Sequence, residues 1–329
     1  MQQIDVIIPC YNYGRYLRDC LQSVLAQEGC AVRILLIDDC STDDSLVIAR
    51  ALAAGEPRIE LRAHKQNSGH IATYNEGIDW LTAPFMLLLS ADDMVAPGAF
   101  ARALALMEAR PDMAFLYGQS LRFRDGAELP MVPPAVPTRW CSGRSFIAAL
   151  CERPVNPVDT GTAIVRTKCH KAVGHYDPAL PHAGDMHMWL RLAALGEVGF
   201  IDSVQAFTRI HASNMQHDAY TGLRLADFCQ RTEMFRDFFA RHGETLPDAA
   251  QLEAKALRRL AGEMLWAANR ILFENPATDV MPLRVLARET APGLSGRLLS
   301  WRFHARRLAG QTIWQAAGRA RATLRNAVR

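Results

Sequence analysis

The chain has 329 residues, of which 50% are hydrophobic and 22% are charged, with a formal net charge of +3 at pH 7. This composition is ordinary for a soluble globular protein, and the length allows one large domain plus a smaller one. No stretch approaches the roughly 18 uncharged apolar residues of a membrane span, and we expect no signal peptide. The eight cysteines are scattered without a CxxC pair. We therefore expect buried thiols in a reducing cytoplasm instead of a disulfide framework or a zinc site.

Short apolar runs alternate with amphipathic stretches over the first two hundred residues. In chain order they predict a strand at 4–9, a helix at 16–26, a strand at 34–37, a helix ending near 54, a strand at 59–62, a turn at 67–70, a helix at 71–81, a strand at 85–89, a helix at 188–195 and a strand at 199–201. Residues 41–44 would give the second helix an N-cap and an acidic first turn. This alternation predicts helices packed on a mostly parallel sheet.

The pattern changes twice further along the chain. Between 126 and 143 four prolines lie close together, which predicts an irregular loop or lid. Beyond about 220 the strand signals stop, and the segments 223–241 and 249–273 carry helix-period apolar positions. We therefore predict an α/β domain at 1–218 and a helical region at 219–329.

The segment Ser90-Ala91-Asp92-Asp93 ends the apolar run 85–89. Two adjacent carboxylates at the end of a buried strand repel each other unless a cation or a ligand holds them. The carboxyl ends of strands are where open α/β sheets bind ligands, and Mg²⁺ or Mn²⁺ suits one or two carboxylates plus diphosphate oxygens. The structural alternative is that Asp92 or Asp93 caps the next helix.

Acidic or polar residues recur at other predicted strand ends and turns, as Asp38-Asp39, Asp185 and His211. An enzyme that moves a sugar from a nucleoside diphosphate needs such groups. One carboxylate accepts hydrogen bonds from the base or ribose, a metal neutralises the leaving diphosphate, and a further carboxylate takes the proton of the attacking hydroxyl.

Each of these residues also has a structural alternative. Asp39 could cap a helix, Asp185 could be a surface acid before a helix, and His211 could be a core histidine. Asp38 could bond to backbone amides, and Tyr11 could pack as an ordinary aromatic side chain.

Several motifs, in this order along residues 4–215, resemble the family 2 glycosyltransferases of the GT-A fold. They are Val6-Ile7-Ile8-Pro9-Cys10-Tyr11-Asn12, Ile37-Asp38-Asp39-Cys40-Ser41-Thr42-Asp43, the stretch 67–78, the segment 90–93, Gly184-Asp185 through Trp189-Leu190-Arg191, and Arg209-Ile210-His211. The resemblance implies a Rossmann-like, mostly parallel sheet flanked by helices, to which this chain adds an all-helical C-terminal extension.

The resemblance also implies roles for individual residues. The nucleotide-binding set would be Pro9, Tyr11, Asp38, Asp39, Asn67, Gly69 and Asp92. Asp93 and His211 would bind Mn²⁺ or Mg²⁺, with Arg209 in support, and Asp185 would be the general base. Such enzymes usually invert the anomeric centre by direct displacement, so no covalent nucleophile is expected.

Three positions depart from the usual family pattern. Ser90 stands where Asp is common, Gly184 stands where Glu precedes the base, and His187 stands where another Asp is common. Because Asp92 and Asp93 remain, we expect metal binding to survive.

After Glu289 the chain has no acidic residue and eight arginines, at positions 297, 302, 306, 307, 319, 321, 325 and 329. This Arg-rich tail could be a solvated helix face, an oligomer contact or an amphipathic helix on a membrane surface. We favour peripheral membrane or partner contact, and no recognition motif for nucleic acid accompanies the charge.

The sequence thus predicts a cytoplasmic, metal-dependent, inverting glycosyltransferase, peripheral to the inner membrane face if the tail binds lipid. Its donor would be a nucleotide sugar, with a UDP-sugar preferred. Its acceptor would be a hydroxyl of a polysaccharide, a glycolipid (lipid-linked) or a glycoprotein. The alternative is a non-catalytic scaffold of the same fold that binds nucleotide or a partner. A nucleotidyltransferase is disfavoured, because the N-terminal loop lacks the glycine-rich, basic character that a triphosphate needs.

Overall fold

A computed structural model of the chain describes residues 2–129, 131, 138–211, 223–293 and 303. The chain divides into two compact units, one of Met1–Ala149 with Val155–Asn214 and one of Leu150–Pro154 with Met215–Arg329. The predicted boundary at 218/219 lies outside the described residues, as do nearly all of the Arg-rich tail and most of the proline cluster.

The strands and helices of the described residues are as follows. One sheet contains β1 (Gln2–Cys10), β2 (Cys30–Asp38), β3 (Ile59–Ala63), β4 (Phe85–Leu88), β5 (Met94–Val95), β6 (Met113–Arg124), β7 (Arg139–Cys141), β8 (Ile164–Arg166) and β9 (Glu197–Ile210). The helices before residue 195 are α1 (Gly14–Leu25), α2 (Ser45–Ala54), α3 (His70–Trp80), α4 (Ala99–Ala109), α5 (Gly143–Glu152), α6 (Thr167–Val173) and α7 (Gly184–Ala193). Three further helices follow, α8 (Leu225–His242), α9 (Ala249–Glu274) and α10 (Met281–Thr290).

The strand order is β3-β2-β1-β4-β8-β6-β9-β5, with β7 beside β9. The first four strands are parallel, and β6 is parallel to β9. The other pairings, which involve β8, β5 and β7, are antiparallel. The α/β class is confirmed, and the sheet is mixed. Because β1 lies between β2 and β4, the carboxyl ends of these three strands meet at one edge, where such sheets bind ligands.

Helices cover both faces of this sheet. Ile4, Val6 and Ile8 share an apolar cluster with side chains of α1 and α4. Ile7 points the other way, toward α3, as the period-2 alternation of a strand requires. A Cβ on Gly77 of α3 would lie 2.4 Å from Ile7 Cγ2, so this close helix–strand contact requires glycine.

Most predicted elements of the first unit are present within a few residues, and two differ in kind. Helix α2 begins at Ser45 with Asp44 at its N-cap position, so the cap lies in the predicted segment but the first turn is not acidic. Ser41 Oγ accepts the Asn12 N–H at 3.0 Å. Asp43 accepts the Gly14 N–H at 3.3 Å and the Ser45 N–H at 2.9 Å. The predicted strand at 199–201 is the start of the 14-residue β9, and β6 had no sequence prediction.

The second unit is helical in its described part, as the sequence predicts. Its core is formed by apolar side chains of α8, α9 and α10, among them Phe228, Leu260, Met264 and Leu283. Buried Arg231 bonds to Asp227 at 3.0 Å and to Glu263 at 3.1 Å within the same unit. Within the residues that the structure describes, no helix combines the length and apolarity needed to cross a membrane.

Candidate active site

Asp39, just beyond β2, is the centre of a hydrogen-bonded loop. Its Oδ1 accepts the Ser68 N–H at 2.7 Å, its Oδ2 accepts the Gly69 N–H at 2.9 Å, and its backbone carbonyl accepts from Asn67 Nδ2 at 3.2 Å. Gly69 has φ = 81°, a conformation that favours glycine. The predicted nucleotide residues Asp39, Asn67 and Gly69 therefore lie together. Among the described residues, no hydrogen bond joins the Asp39 side chain to α2, so it does not cap that helix.

His64 also bonds to Asp39. Its Nδ1 is 2.7 Å from Asp39 Oδ1 and its Nε2 is 2.7 Å from Glu76 Oε2 on α3. Burial opposes the charged imidazole, but the two carboxylates outweigh it and raise the pKa of His64 above 6.5. In its protonated form, His64 donates to both carboxylates and so ties the Asp39 loop to α3. The sequence analysis gave this residue no role.

The other residues predicted for the nucleotide lie at the ends of β1 and β2. Asp38 is fully buried, and its Oδ2 accepts the Ser41 N–H at 3.1 Å. This contact matches the structural alternative for Asp38, a bond to a backbone amide. Tyr11 follows β1 and is 44% exposed, so its ring is accessible for stacking. Pro9 is in β1, one residue before the strand ends, and is partly buried.

Asp92 and Asp93 lie beyond β4 in the short turn before β5. Asp92 Oδ2 is 2.9 Å from His211 Nε2, and its Oδ1 accepts from the Ser90 hydroxyl at 2.5 Å. Asp93 Oδ1 accepts the Arg209 N–H at 2.9 Å. The capping alternative is wrong for both, because α4 begins only at residue 99 with Gly98 as its N-cap.

The electrostatics of Asp93 indicate a site built for positive charge. Burial, followed by the neighbouring Asp92 charge, raises the pKa of Asp93 well above its ordinary value of 3.8. The Arg209 N–H and guanidinium only partly offset this. A cation or another positive group placed here would stabilise the ionised pair.

Arg209 fastens this turn to the surrounding elements. Its Nε donates to the Asp92 carbonyl at 3.1 Å, and its two terminal nitrogens pair with Asp125 at 3.0 Å and Asp19 at 3.1 Å. The guanidinium lies 4.6 Å from the ring centre of Tyr16 and 4.7 Å from that of Phe123. The predicted supporting role of Arg209 thus has a physical basis in these contacts.

His211 lies against two aromatic rings, with its side chain only 3% exposed. The ring of Tyr13 is 5.5 Å away edge-on, and that of Tyr16 is 5.0 Å away at a tilt. This packing is consistent with the core alternative for His211, while the bond to Asp92 places its imidazole beside the carboxylate pair.

Asp185 is in the first turn of α7. Its Oδ2 accepts from the Thr160 hydroxyl at 2.9 Å. Burial raises its pKa above 3.8, and Asp159 adds to the shift, whereas the bond from Thr160 and the proximity of His70 lower it. A carboxylate with a raised pKa is better suited to accept a proton than an ordinary exposed one.

Two residues that the sequence analysis missed are within electrostatic reach of both Asp185 and the carboxylate pair. Asp159 is within electrostatic reach of both Asp93 and Asp185 and raises the pKa of each. Tyr74 of α3 has its pKa raised by burial and then by Asp185 and Asp92. A polar residue on an amphipathic helix gives no sequence signal of this position.

The side chains beside the carboxylate pair offer ligand atoms of the kinds that a divalent cation prefers, but too few of them to complete its coordination. Asp93 and Asp92 offer carboxylate oxygens and His211 offers an imidazole nitrogen, all of which suit Mn²⁺, whereas Mg²⁺ prefers oxygen. Over the described ranges, no group of three or more His, Cys, Asp or Glu side chains is arranged to hold a metal ion. A cation here would therefore take further ligands from a bound diphosphate or water.

Known proteins resemble this chain in sequence and in fold. The family described as Glycosyl transferase family 2 matches residues 5–170, about half of the chain. The succinoglycan biosynthesis protein ExoO of Rhizobium meliloti is 30% identical over 138 residues, which is 40% of this chain and 39% of that protein. The chain spans less than half the length of the curated relatives that it matches first.

Two solved structures share the fold at low identity. TarS 1–349 of S. aureus has a TM-score of 0.62 at 15% identity, covering 89% of this chain and 81% of that one. TarS is also known in complex with UDP-GlcNAc, at a TM-score of 0.56. The mannosyltransferase PcManGT of Pyrobaculum calidifontis, in complex with GDP-Man and Mn²⁺, has a TM-score of 0.57 at 16% identity, covering 92% and 79%. The architecture described above is therefore the GT-A fold.

The motif resemblance is confirmed by these findings. The family match begins in β1 and continues past the carboxylate pair and the strand β8, so it includes most of the site. The chain belongs to glycosyl transferase family 2.

Proposed function

We propose that this enzyme is a metal-dependent, inverting transferase that moves a sugar from a nucleotide sugar to an acceptor hydroxyl. The observation that carries the proposal is the electrostatic coupling of Asp159 to both Asp93 and Asp185. Asp93 and Asp185 are thus both within electrostatic reach of one carboxylate, which supports a single site that includes the carboxylate pair and Asp185. A donor diphosphate and an attacking hydroxyl must occupy neighbouring positions in such a site.

The nucleotide would bind at the ends of β1 and β2. The exposed ring of Tyr11 offers a stacking surface, and ionised Asp39 accepts hydrogen bonds only. A base that presents an N–H, such as uracil or guanine, suits this acceptor. The neighbouring structures hold UDP-GlcNAc in one case and GDP-Man in the other, which supports a nucleotide-sugar donor. We favour a UDP-sugar.

The reaction needs one proton acceptor and one neutralised leaving group. Asp185 takes the proton of the acceptor hydroxyl as that oxygen attacks the anomeric carbon from the face opposite the diphosphate, so the configuration inverts. Asp92 holds the ribose or sugar, and Asp93 with His211 would hold the Mn²⁺ or Mg²⁺. When bound, that cation supplies positive charge to the departing diphosphate.

The acceptor is proposed from the relatives and the composition of the chain. The name of ExoO refers to succinoglycan biosynthesis, which favours a growing polysaccharide over a protein acceptor. Lipid-linked glycans are an alternative, since the eight arginines after Glu289 would attract an anionic membrane surface. We place the enzyme in the cytoplasm, at the inner face of the membrane if the tail binds lipid.

The first test is the melting temperature with UDP, GDP, CDP and dTDP, each with and without Mn²⁺. Selective binding to the native state raises the melting temperature by mass action. We expect one nucleotide to give the largest shift, and this shift to need Mn²⁺ and to vanish in Asp93→Asn. Asp79→Asn is the matched control, because Asp79 is 70% exposed on α3 and pairs only with His175 in the described residues.

The second test separates binding from transfer. Asp185→Asn should keep the nucleotide-induced shift and lose sugar transfer to acceptor extracts. If no nucleotide shifts the wild-type melting temperature, the donor-site proposal is wrong. If nucleotide binds but wild-type protein transfers no sugar to any extract, the scaffold alternative takes its place.

A further inference from the structure

The base Asp185 is held by a turn that the motifs did not include. Residues Thr160–Thr162 form a single 3-10 turn. The Asp159 carbonyl accepts both the Thr162 N–H at 2.9 Å and the Thr162 hydroxyl at 2.7 Å. These two hydrogen bonds stabilise the turn internally. The Thr160 hydroxyl takes no part in them and donates to Asp185 Oδ2 at 2.9 Å.

The same turn rests on the end of β4. A Cβ on Gly161 would lie 3.1 Å from Leu89 Cδ1, which shows how closely the turn packs there. Leu89 is fully buried and comes just before the segment that contains Asp92 and Asp93. One rigid turn thus contacts the base directly and packs on the strand end that leads to the carboxylate pair.

The second oxygen of the base has no comparable partner. Among the described residues, Oδ2 of Asp185 accepts from Thr160, and no hydrogen bond reaches Oδ1. Oδ1 is also absent from the polar atoms that are sealed from solvent without a partner. Oδ1 is therefore the oxygen that the Thr160 bond leaves for another donor.

We propose that Thr160 is a positioning residue of the transfer reaction, whose hydroxyl holds Asp185 Oδ2 so that Oδ1 receives the acceptor proton. The inference rests on the proposed role of Asp185 as general base. The threonine hydroxyl donates its only hydrogen to the carboxylate and so stabilises the ionised form. Thr160 therefore fixes both the direction and the basicity of the base.

The groups around Asp185 determine whether its pKa rises or falls when the Thr160 hydroxyl is removed. His70 of α3 lowers its pKa, and Asp159 raises it. The phenols of Tyr74 and Tyr176 also face Asp185, and their own pKa values are raised chiefly by burial and next by Asp185. Removing the Thr160 hydroxyl leaves all four groups in place and takes away one bond to the ionised carboxylate. The pKa of Asp185 must then rise.

The test compares three variants of the full chain. Thr160→Val removes the hydroxyl with little change of shape, and Thr160→Ser restores a donor. Thr162→Val is the matched control, because it disturbs the same turn without removing a bond to Asp185. The pKa of Asp185 is read from the side-chain carboxyl signal of ¹³C-aspartate-labelled protein, assigned with Asp185→Asn.

We expect Thr160→Val to raise the pKa of Asp185 by about one pH unit, a tenfold change in its dissociation constant. Thr160→Ser and Thr162→Val should stay near the wild type. In hydrolysis of UDP-GlcNAc or GDP-mannose with water as acceptor, the acid limb of the pH–rate profile should move up by the same amount in Thr160→Val. The nucleotide-induced shift in melting temperature should not change.

The outcomes distinguish this inference from the proposed function. An unchanged pKa in Thr160→Val, or an equal rise in Thr162→Val, overturns the role of Thr160 even if the enzyme is active. If the pKa of Asp185 rises in Thr160→Val but the acid limb of the pH–rate profile does not move, Asp185 does not act as the rate-limiting base. This result overturns both the role of Thr160 and the proposed role of Asp185. Failure of Thr160→Ser to restore the wild-type value also overturns the inference.

Discussion

Replacing Arg209 with methionine tests whether one buried guanidinium holds the carboxylate turn in place. Methionine keeps the length and apolar stem of the side chain but removes its charge and all five donors. The backbone N–H of residue 209, which bonds to Asp93, is unaffected. The variant therefore isolates the side-chain contacts of Arg209, which is only 6% exposed.

The decrease in the free energy of unfolding caused by Arg209→Met can be estimated from the separate contacts of the Arg209 side chain. The ion pairs to Asp19 and Asp125 contribute little, since both carboxylates are accessible to water. The Asp92 carbonyl loses a donor in a buried setting, which costs about 1–3 kcal/mol. The contacts over Tyr16 and Phe123 add about 1–2 kcal/mol, of which methionine packing recovers part. We expect a net loss of about 2–4 kcal/mol.

The assay compares the melting temperature of Arg209→Met with those of the wild type and of Asp19→Asn. For a unit of about two hundred residues this loss lowers the melting temperature by roughly 5–15 °C. Asp19→Asn removes one of the surface pairs alone and should change it by no more than about 2 °C. The nucleotide-induced shift should also shrink in Arg209→Met, because the turn bearing Asp92 is less well fixed.

A melting temperature for Arg209→Met within 2 °C of Asp19→Asn would refute this reasoning. It would mean that the guanidinium acts only through its surface pairs and that the turn is held by other contacts. Loss of stability without any loss of the nucleotide shift would instead separate the structural role of Arg209 from the donor site.

Three further predictions concern the same unit. Gly77→Ala should cost about 1–3 kcal/mol in urea unfolding, because its Cβ would overlap Ile7 Cγ2 at 2.4 Å, and an unchanged midpoint would contradict this close contact. Asp5→Ala should cost about 2–4 kcal/mol in the same assay, because Asp5 is fully buried and its carboxylate accepts the Thr82 and Ala83 N–H groups besides binding Arg33; a loss below 1 kcal/mol would argue against this structural role. His64→Gln should lose stability in a pH-dependent way. Because the pKa of His64 is raised on folding, its contribution to the free energy of unfolding is complete below pH 6.5 and is lost as the pH rises through the pKa of the folded state. The difference in melting temperature between His64→Gln and the wild type should therefore shrink above neutrality. A difference independent of pH would exclude the charged bridge.

The parallel half of the sheet was predictable because its strands are continuous apolar runs. Strands β1, β2 and β4 are buried on both faces over most of their length, so apolar residues predominate. β9 could not be predicted in full, because its middle carries Ser203 and Gln205, which are polar yet buried. Their burial depends on partners from β6 and β5, and local sequence does not report these partners.

The residues of the candidate site likewise fall into those that local sequence predicts and those that it does not. Asp39, Asp92 and Asp93 follow apolar runs directly, so their place at the sheet edge could be inferred from local pattern. Thr160 bonds to Asp185, and Tyr74 is within its electrostatic reach, through contacts between segments far apart in sequence, such as the pairing of β8 with β4 and the packing of α3 on β1. A hydroxyl in a short turn, such as that of Thr160, or on a helix, such as that of Tyr74, gives no local signal of such a position.

The register of β9 has a consequence for how this protein can change in evolution. Arg209 and His211 reach the same turn because they are two residues apart on an extended chain. Deleting one residue between the pairing of β9 with β5 and Arg209 would turn both side chains to the opposite face. The sheet could absorb such a deletion, as its existing irregularities between β6 and β9 indicate, but the site could not. We therefore expect substitutions along this strand to be tolerated far more often than changes in its length.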